Sequence, residues 1–370
     1  MLVPLAAAMV EECGAKAATL GTLIRSGFPV PEGVVVPFGE RFGRDLPEEL
    51  VPELARWLDG AGGAPVAVRS SAANEDTPLA SAAGQHDSFL GVQGFAAVMD
   101  AVRACQASVW SARATAYRGG AEAPAMAVIV QRHLDADVAG VMFTRADGST
   151  LIESSWGLGP SVVEGRVTPD SYQVAADGAV TRTIADKRVS LDRNGPSLVV
   201  RQVAPAQRRT ATLTDATARQ LATLARTVAE LLGAPQDIEW ALTEGTPWLL
   251  QSRPITAEPP TPTTHEAPLM GIPGSHGTAT GPARIVRGPA DFPNVHPGDI
   301  LICPHTDPAW TPLLSIAAGV VTETGGTLSH AAIVAREHQI PAVLALQAAT
   351  RAIPNGARIT INGTTGVVHL

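Results

Sequence analysis

Residues 257–273, AEPPTPTTHEAPLMGIP, divide the chain. Proline has no backbone N–H and a fixed φ, so neither a helix nor a central strand runs through such a stretch. The spacing therefore predicts two separately cored parts, residues 1–256 and 274–370, joined by a linker over 257–273. In an extended polyproline-like state that linker reaches about 50 Å, at ~3.1 Å per residue. A length of 370 residues with 45% apolar and 17% charged side chains is enough to core both parts.

Periodicity fills in the elements. AKAATLGTLIRSG has helical spacing and stops at Gly27; a β-branched strand follows through GVVV. Val66 and Val68 mark a strand that feeds the polar loop SSAANED. Residues 95–118 read as helix, AMAVIVQRHL and VAGVMFT as apolar strands, and TLIESSW as a further strand before a glycine-bearing loop. A long helix covers 214–232. PQDIEWALTEGTPWLLQSRPIT reads as a hairpin turning at Glu244-Gly245. The last part has short strands (ARIVR, DILICP, GVVTE, RITING) and a helix after His330. There is no internal repeat.

The formal net charge of −8 argues against nucleic acid as the main partner, because phosphate backbones favour a basic face. No apolar run reaches the ~18 residues of a membrane span, and the N-terminus lacks a signal peptide's basic start. Three widely separated cysteines (Cys13, Cys105 and Cys303) fit reduced thiols in a cytoplasmic protein. Of 27 basic residues only Lys16 and Lys187 are lysine. A lysine kept under such a bias fits a position that needs a compact ammonium.

Four stretches carry candidate chemistry. In ETGGTLSHAAIVARE, two glycines make a turn, Thr327 or Ser329 is placed to cap a helix, and His330 begins it. Imidazole is nucleophilic at neutral pH, and a helix N-terminus stabilises an anion, so His330 is placed to accept a phosphoryl group; the alternative is a histidine that only closes a turn. Arg69 follows a buried strand and would be held as a phosphate clamp. The small-residue loop SAAGQHDS offers backbone N–H groups around Gly84 to Ser88. In the hairpin, Glu239 and Gln251 fall on adjacent strands as hard oxygen donors suited to Mg²⁺. Arg253 lies on the same strand face as Gln251.

In this order, GAKAATLGTLIRSGFPVPEG, VAVRSSAANEDTPLASAAGQ, DIEW…LLQSRP and GGTLSHAAIVAREHQIPAV resemble the family of phosphoenolpyruvate synthase, pyruvate phosphate dikinase and rifampin phosphotransferase. The resemblance covers nearly the whole chain apart from the linker. It implies an α/β and α+β chain: an N-terminal ATP-grasp domain (1–256), the linker, and a swivelling phosphohistidine domain (274–370). It implies an ATP site lined by Lys16, Arg69, Gly84, Ser88, Gln131, Glu239, Gln251 and Arg253. Gln131 would stand at the adenine hinge, and Glu239 and Gln251 would hold Mg²⁺. His330 would attack the β-phosphorus of ATP, giving AMP, phosphate and a phosphorylated acceptor. That acceptor is expected to be a small molecule, by analogy a specialised metabolite or antibiotic, or to sit on a separate subunit that takes the group from a phosphocarrier chain.

The sequence departs from the family in places. The stretch between Val36 and Val66 is short, Ala82 stands where Phe is usual, and Asp87-Ser88 where Glu-Thr is usual. Pro160 replaces a Glu near the phosphates. No segment resembles a pyruvate-binding barrel, and none resembles the substrate domain of rifampin phosphotransferase, so the acceptor site is not accounted for.

Overall fold

The structure is a computed structural model that describes residues 1–38, 49–73, 87–111, 114–115, 124–260 and 269–370. Gly84 and Ala82, with the rest of the predicted loop up to residue 86, and linker residues 261–268 lie outside the described residues.

Three sheets organise the chain. The first contains β1 (Val3–Pro4), β2 (Gly33–Val36), β3 (Val66–Ala72), β4 (Ser88–Val92) and β5 (Met126–Arg132), in the order β1-β2-β5-β3-β4. Helices α1 (Val10–Arg25), α2 (Leu50–Gly60) and α3 (Phe95–Ala107) pack on it. Strand β5 shows why this part reads as an unbroken apolar run. Ala127 and Ile129 face one core with α1, while Val128 and Val130 face another with α2 and α3. With side chains alternating across a strand, both faces are then buried.

The second sheet is built from β6 (Val138–Thr144), β7 (Thr150–Trp156), β8 (Asp170–Val174) and β9 (Val180–Thr183), with a hairpin at its edge; a separate two-stranded hairpin pairs β10 (Val189–Asn194) with β11 (Ser197–Gln202). That edge hairpin is β12 (Gln236–Thr243) and β13 (Thr246–Pro254), giving the order β13-β12-β6-β7-β8-β9. Its turn is Glu244-Gly245, both at positive φ, as a two-residue hairpin turn requires. Helix α4 (Asp215–Leu232) starts at Thr214, whose hydroxyl accepts from the Thr217 N–H, and covers one face through Met142, Ile152 and Trp240. The opposite face carries Val141, Phe143, Leu151, Glu153, Asp237 and Glu239. Two antiparallel sheets with a cleft between them form the ATP-grasp half expected from the sequence.

The third sheet contains β14 (Ile272–Ser275), β15 (Thr278–Ile285), β16 (Ile300–Cys303), β17 (Gly319–Thr322), β18 (Ala342–Leu344), β19 (Arg358–Asn362) and β20 (Val367–His369). Its order is β14-β18-β17-β16-β15-β19-β20, with β15 to β18 parallel. Helix α5 (His330–Glu337) packs on β14, β17 and β18. No helix among the described residues is long and apolar enough to cross a membrane.

Lys187 is fully buried, with Nζ 2.5 Å from Asp170 Oδ1 and hydrogen bonded to the Ala185 carbonyl. It is a structural lysine. Lys16 sits elsewhere, in the cleft.

Candidate functional site

A cavity of about 730 Å³ lies between the first two sheets. Lys16, Arg69, Ser88, Gln131, Glu239, Gln251 and Arg253 all line it, so seven of the eight nucleotide-site candidates meet in one place. Gly84, the eighth, lies outside the described residues.

Each is positioned by a local feature. Gly14 interrupts the first turn of α1 with φ +77°. A Cβ there would stand 2.4 Å from the Ser71 carbonyl oxygen, so only glycine lets the helix approach β3 this closely. The approach places the Ala17 N–H on Ser71 Oγ and Lys16 Nζ 3.2 Å from the Ser70 carbonyl, aimed into the cleft. Gly14→Ala is expected to cost about 1–3 kcal/mol by forcing a strained backbone, and to displace Lys16. Thermal unfolding and nucleotide affinity should fall together; a variant that loses stability with nucleotide affinity intact would separate Gly14 from Lys16.

Glu239 and Gln251 are direct partners across the hairpin, as are Asp237 and Arg253. Arg69 crosses from the first sheet. Its Nη2 donates to Gln251 Oε1 at 2.8 Å and lies 3.6 Å from Glu239 Oε2, and its Nη1 donates to the Leu250 carbonyl. One guanidinium thus joins the two sheets at the oxygen pair. Arg253 is held by Asp237, with Nε at 2.8 Å and Nη2 at 2.7 Å from Oδ2. Burial pushes the Asp237 carboxyl up, and the Arg253 charge opposes that. Asp237 was not among the sequence candidates, although its two-residue offset from Glu239 put it on the same face. Gln131 is buried and donates to the Pro31 carbonyl at 2.8 Å, with Arg132, His133 and Leu134 following it along the wall. Pro160 opens a one-turn helix, Pro160–Val163, where its missing N–H costs nothing, and also lines the cavity.

The oxygen donors of Glu239 and Gln251 suit a hard cation such as Mg²⁺. They supply two ligands, and among the described residues no group of three or more His, Cys, Asp or Glu forms a metal site of its own. Phosphate oxygens and water would have to complete the shell.

His330 does not line the cavity and is only 3% exposed. Its Nδ1 is 2.9 Å from Thr306 Oγ1 and its Nε2 3.4 Å from Thr311 Oγ1. The next residues along, Asp307 and Pro308, do form part of the cavity wall. The side-chain cap expected of Thr327 or Ser329 is absent. Ser329 holds the N-cap position, but its hydroxyl donates to the Gly326 carbonyl, and Thr327 turns to Glu153. Nothing in the sequence singled out Thr306 or Thr311, which reach the ring from a loop and a one-turn helix about twenty residues upstream.

The family model described as pyruvate phosphate dikinase, AMP/ATP-binding domain matches residues 42–268, and that for the PEP-utilising enzyme, mobile domain matches 295–366. A probable phosphoenolpyruvate synthase of Methanothermobacter thermautotrophicus is 34% identical over 96% of this chain and 61% of its own length. The phosphoenolpyruvate synthase of Pyrococcus furiosus is 36% identical over 88% of this chain and 44% of its own. That of Escherichia coli is 35% identical over 82% and 43%. The chain therefore spans about half the length of the curated relatives it matches.

Proposed function

The chain belongs to the pyruvate phosphate dikinase and phosphoenolpyruvate synthase family, and on that premise we propose that it transfers the β-phosphoryl group of ATP through His330 to an acceptor. The observation that carries the reading is the convergence of Lys16, Arg69, Glu239, Gln251 and Arg253 on one cavity whose wall continues into Asp307, next to the residue that holds His330.

Lys16 and Arg69 bind the phosphates, and Arg69 leaves Gln251 and Glu239 for phosphate oxygens. Glu239 and Gln251 would hold Mg²⁺, which when bound would neutralise phosphate charge. In the tautomer whose Nδ1–H donates to Thr306, the lone pair of His330 lies on Nε2. An N–P bond then forms at the β-phosphorus as the bridging oxygen–Pβ bond breaks, its electrons leaving with AMP. Water removes the γ-phosphoryl as phosphate. The phosphohistidine passes its group to a small molecule, or to one presented by a second chain. Buried as it is in the docked state, the ring must be uncovered to pass its group to an acceptor, which a mobile domain on a long linker permits.

Removing a charge-assisted phosphate contact is expected to slow histidine loading by about 10²-fold or more in Lys16→Ala and in Arg69→Ala. Glu239→Gln should raise the Mg²⁺ concentration needed for AMP release. The measurement is AMP and phosphate release from ATP across a Mg²⁺ series, with pyruvate and other small acceptors in turn. Loading at the wild-type rate in Arg69→Ala would remove the cavity from the mechanism. Label that leaves the protein only with a co-purifying partner would identify the acceptor as a second chain.

A further inference from the structure

Glu153 lies in the middle of β7, an otherwise apolar and small-residue strand, and is 3% exposed. Its oxygens take three hydrogen bonds, all from the loop that precedes His330. Oε1 accepts from the Thr327 N–H at 2.7 Å and from Thr327 Oγ1 at 2.6 Å; Oε2 accepts from the Leu328 N–H at 3.0 Å. The loop is shaped for it. A Cβ on Gly326 would stand 2.2 Å from Glu153 Oε2, so the second glycine of the GG pair is the one that admits the carboxylate. Leu328 fills the apolar cluster of Val141, Phe143, Leu151, Val162 and Val167 beside it, and Thr324 Oγ1 donates to the Gly165 carbonyl.

Register relates this contact to the nucleotide cavity. Gln251 pairs with Glu239, Glu239 with Val141, and Val141 with Glu153, so the four form one cross-strand row on one face of the second sheet. Glu153 is two strands from Glu239, about 10 Å at the ~4.8 Å strand spacing. We infer that Glu153 is a positioning residue for phosphoryl transfer: it docks the 324–329 loop on the same sheet row that carries Glu239 and Gln251, and so sets where His330 stands relative to the phosphates. The inference rests on the phosphotransfer reading above.

The electrostatics suit a dock that must also release. Arg336, six residues after His330 on α5, is buried at the same seam. Burial lowers its pKa to about 10, while Glu153 and Asp237 oppose that. Burial pushes Glu153 up, opposed by the Thr327 and Leu328 bonds and by Arg336. Arg336 thus faces two carboxylates of the second sheet, Glu153 and Asp237, and Asp237 is already paired with Arg253 on that same sheet. Such a neutral buried set gains little net adhesion, because desolvation offsets its Coulomb energy, yet it tolerates few other arrangements. It gives alignment at low cost to undocking.

The test is Glu153→Ala and Gly326→Ala, singly and together. Acid-labile label from β-labelled ATP is read in a single turnover, nucleotide affinity by calorimetry, and amide exchange on a peptide covering residues 324–330. Misplacing the loop should slow labelling by about 10²-fold, with nucleotide affinity unchanged and faster exchange at Thr327 and Leu328. The double variant should be no worse than Glu153→Ala, since the clash of Gly326→Ala needs the carboxylate. Glu153→Gln, which keeps an acceptor oxygen, should recover part of the rate. Labelling at the wild-type rate in Glu153→Ala overturns the inference, as does a parallel loss of nucleotide affinity, which would mark a merely structural role. Should wild-type protein take no label at all, the phosphotransfer reading fails instead, and exchange alone decides the dock: unchanged protection in Glu153→Ala overturns it.

Discussion

His330→Ala is expected to abolish the acid-labile label that β-labelled ATP leaves on the protein, while nucleotide affinity stays at its wild-type value. The two effects separate because the ring takes no part in the cavity wall, while Thr306 and Thr311 flank it within its own domain. Loss of the ring leaves the Thr306 hydroxyl buried without that partner, a cost of about 1–3 kcal/mol that does not reach the nucleotide walls. AMP formation should stop along with the label, since in this mechanism AMP leaves only as the N–P bond forms. Thr306→Val gives a graded companion. It keeps the nucleophile but removes the group that orients it, so labelling should slow without vanishing. Label that survives in His330→Ala, or AMP released at the wild-type rate in the presence of an acceptor, would place the nucleophile elsewhere.

The second large effect is on stability and has nothing to do with the cavity. Asp170 is fully buried and accepts from Lys187 Nζ, the Ala185 N–H, the Thr212 N–H and Thr212 Oγ1. Lys187→Met keeps the aliphatic stem and removes the ammonium, leaving a carboxylate in the interior without its counter-charge. Breaking one side of such a pair costs about 3–5 kcal/mol. At roughly 2–4 °C per kcal/mol for a domain of this size, the thermal midpoint should fall by about 10 °C. Replacing both partners, Lys187→Met with Asp170→Asn, should recover much of the loss, because the stranded charge goes too. ATP binding below the transition should be unaffected, as neither residue lines the cavity. A midpoint shift within about 2 °C would mean that Asp170 finds its compensation in the other three donors.

These residues show where sequence reasoning reaches and where it stops. The Glu244-Gly245 turn between two strand-like runs located the β12–β13 hairpin, and adjacency of strands paired Glu239 with Gln251, which the register bears out. Helical spacing and the glycine stop located α1 within a few residues. Both follow from local rules, since a strand's faces and a helix's end are set by neighbours in the chain. The same rules left Lys16 and Lys187 alike. The family resemblance set Lys16 apart, and the fold gives the physical reason: one is aimed into the cleft by the Gly14 approach, the other locked on Asp170 seventeen residues away.

The sequence by itself determined the phosphate-seeking residue types and the histidine at the head of a helix. Tertiary structure alone decided that Arg69 spans two sheets to reach Gln251, that Thr306 and Thr311 flank the His330 ring, and that Glu153 meets Thr327 and Leu328 across 174 and 175 residues of chain. The reason is physical. A side chain's local pattern fixes which way it points, but not what the rest of the chain brings to meet it, and a buried carboxylate inside an apolar strand is stable only if something distant supplies its donors.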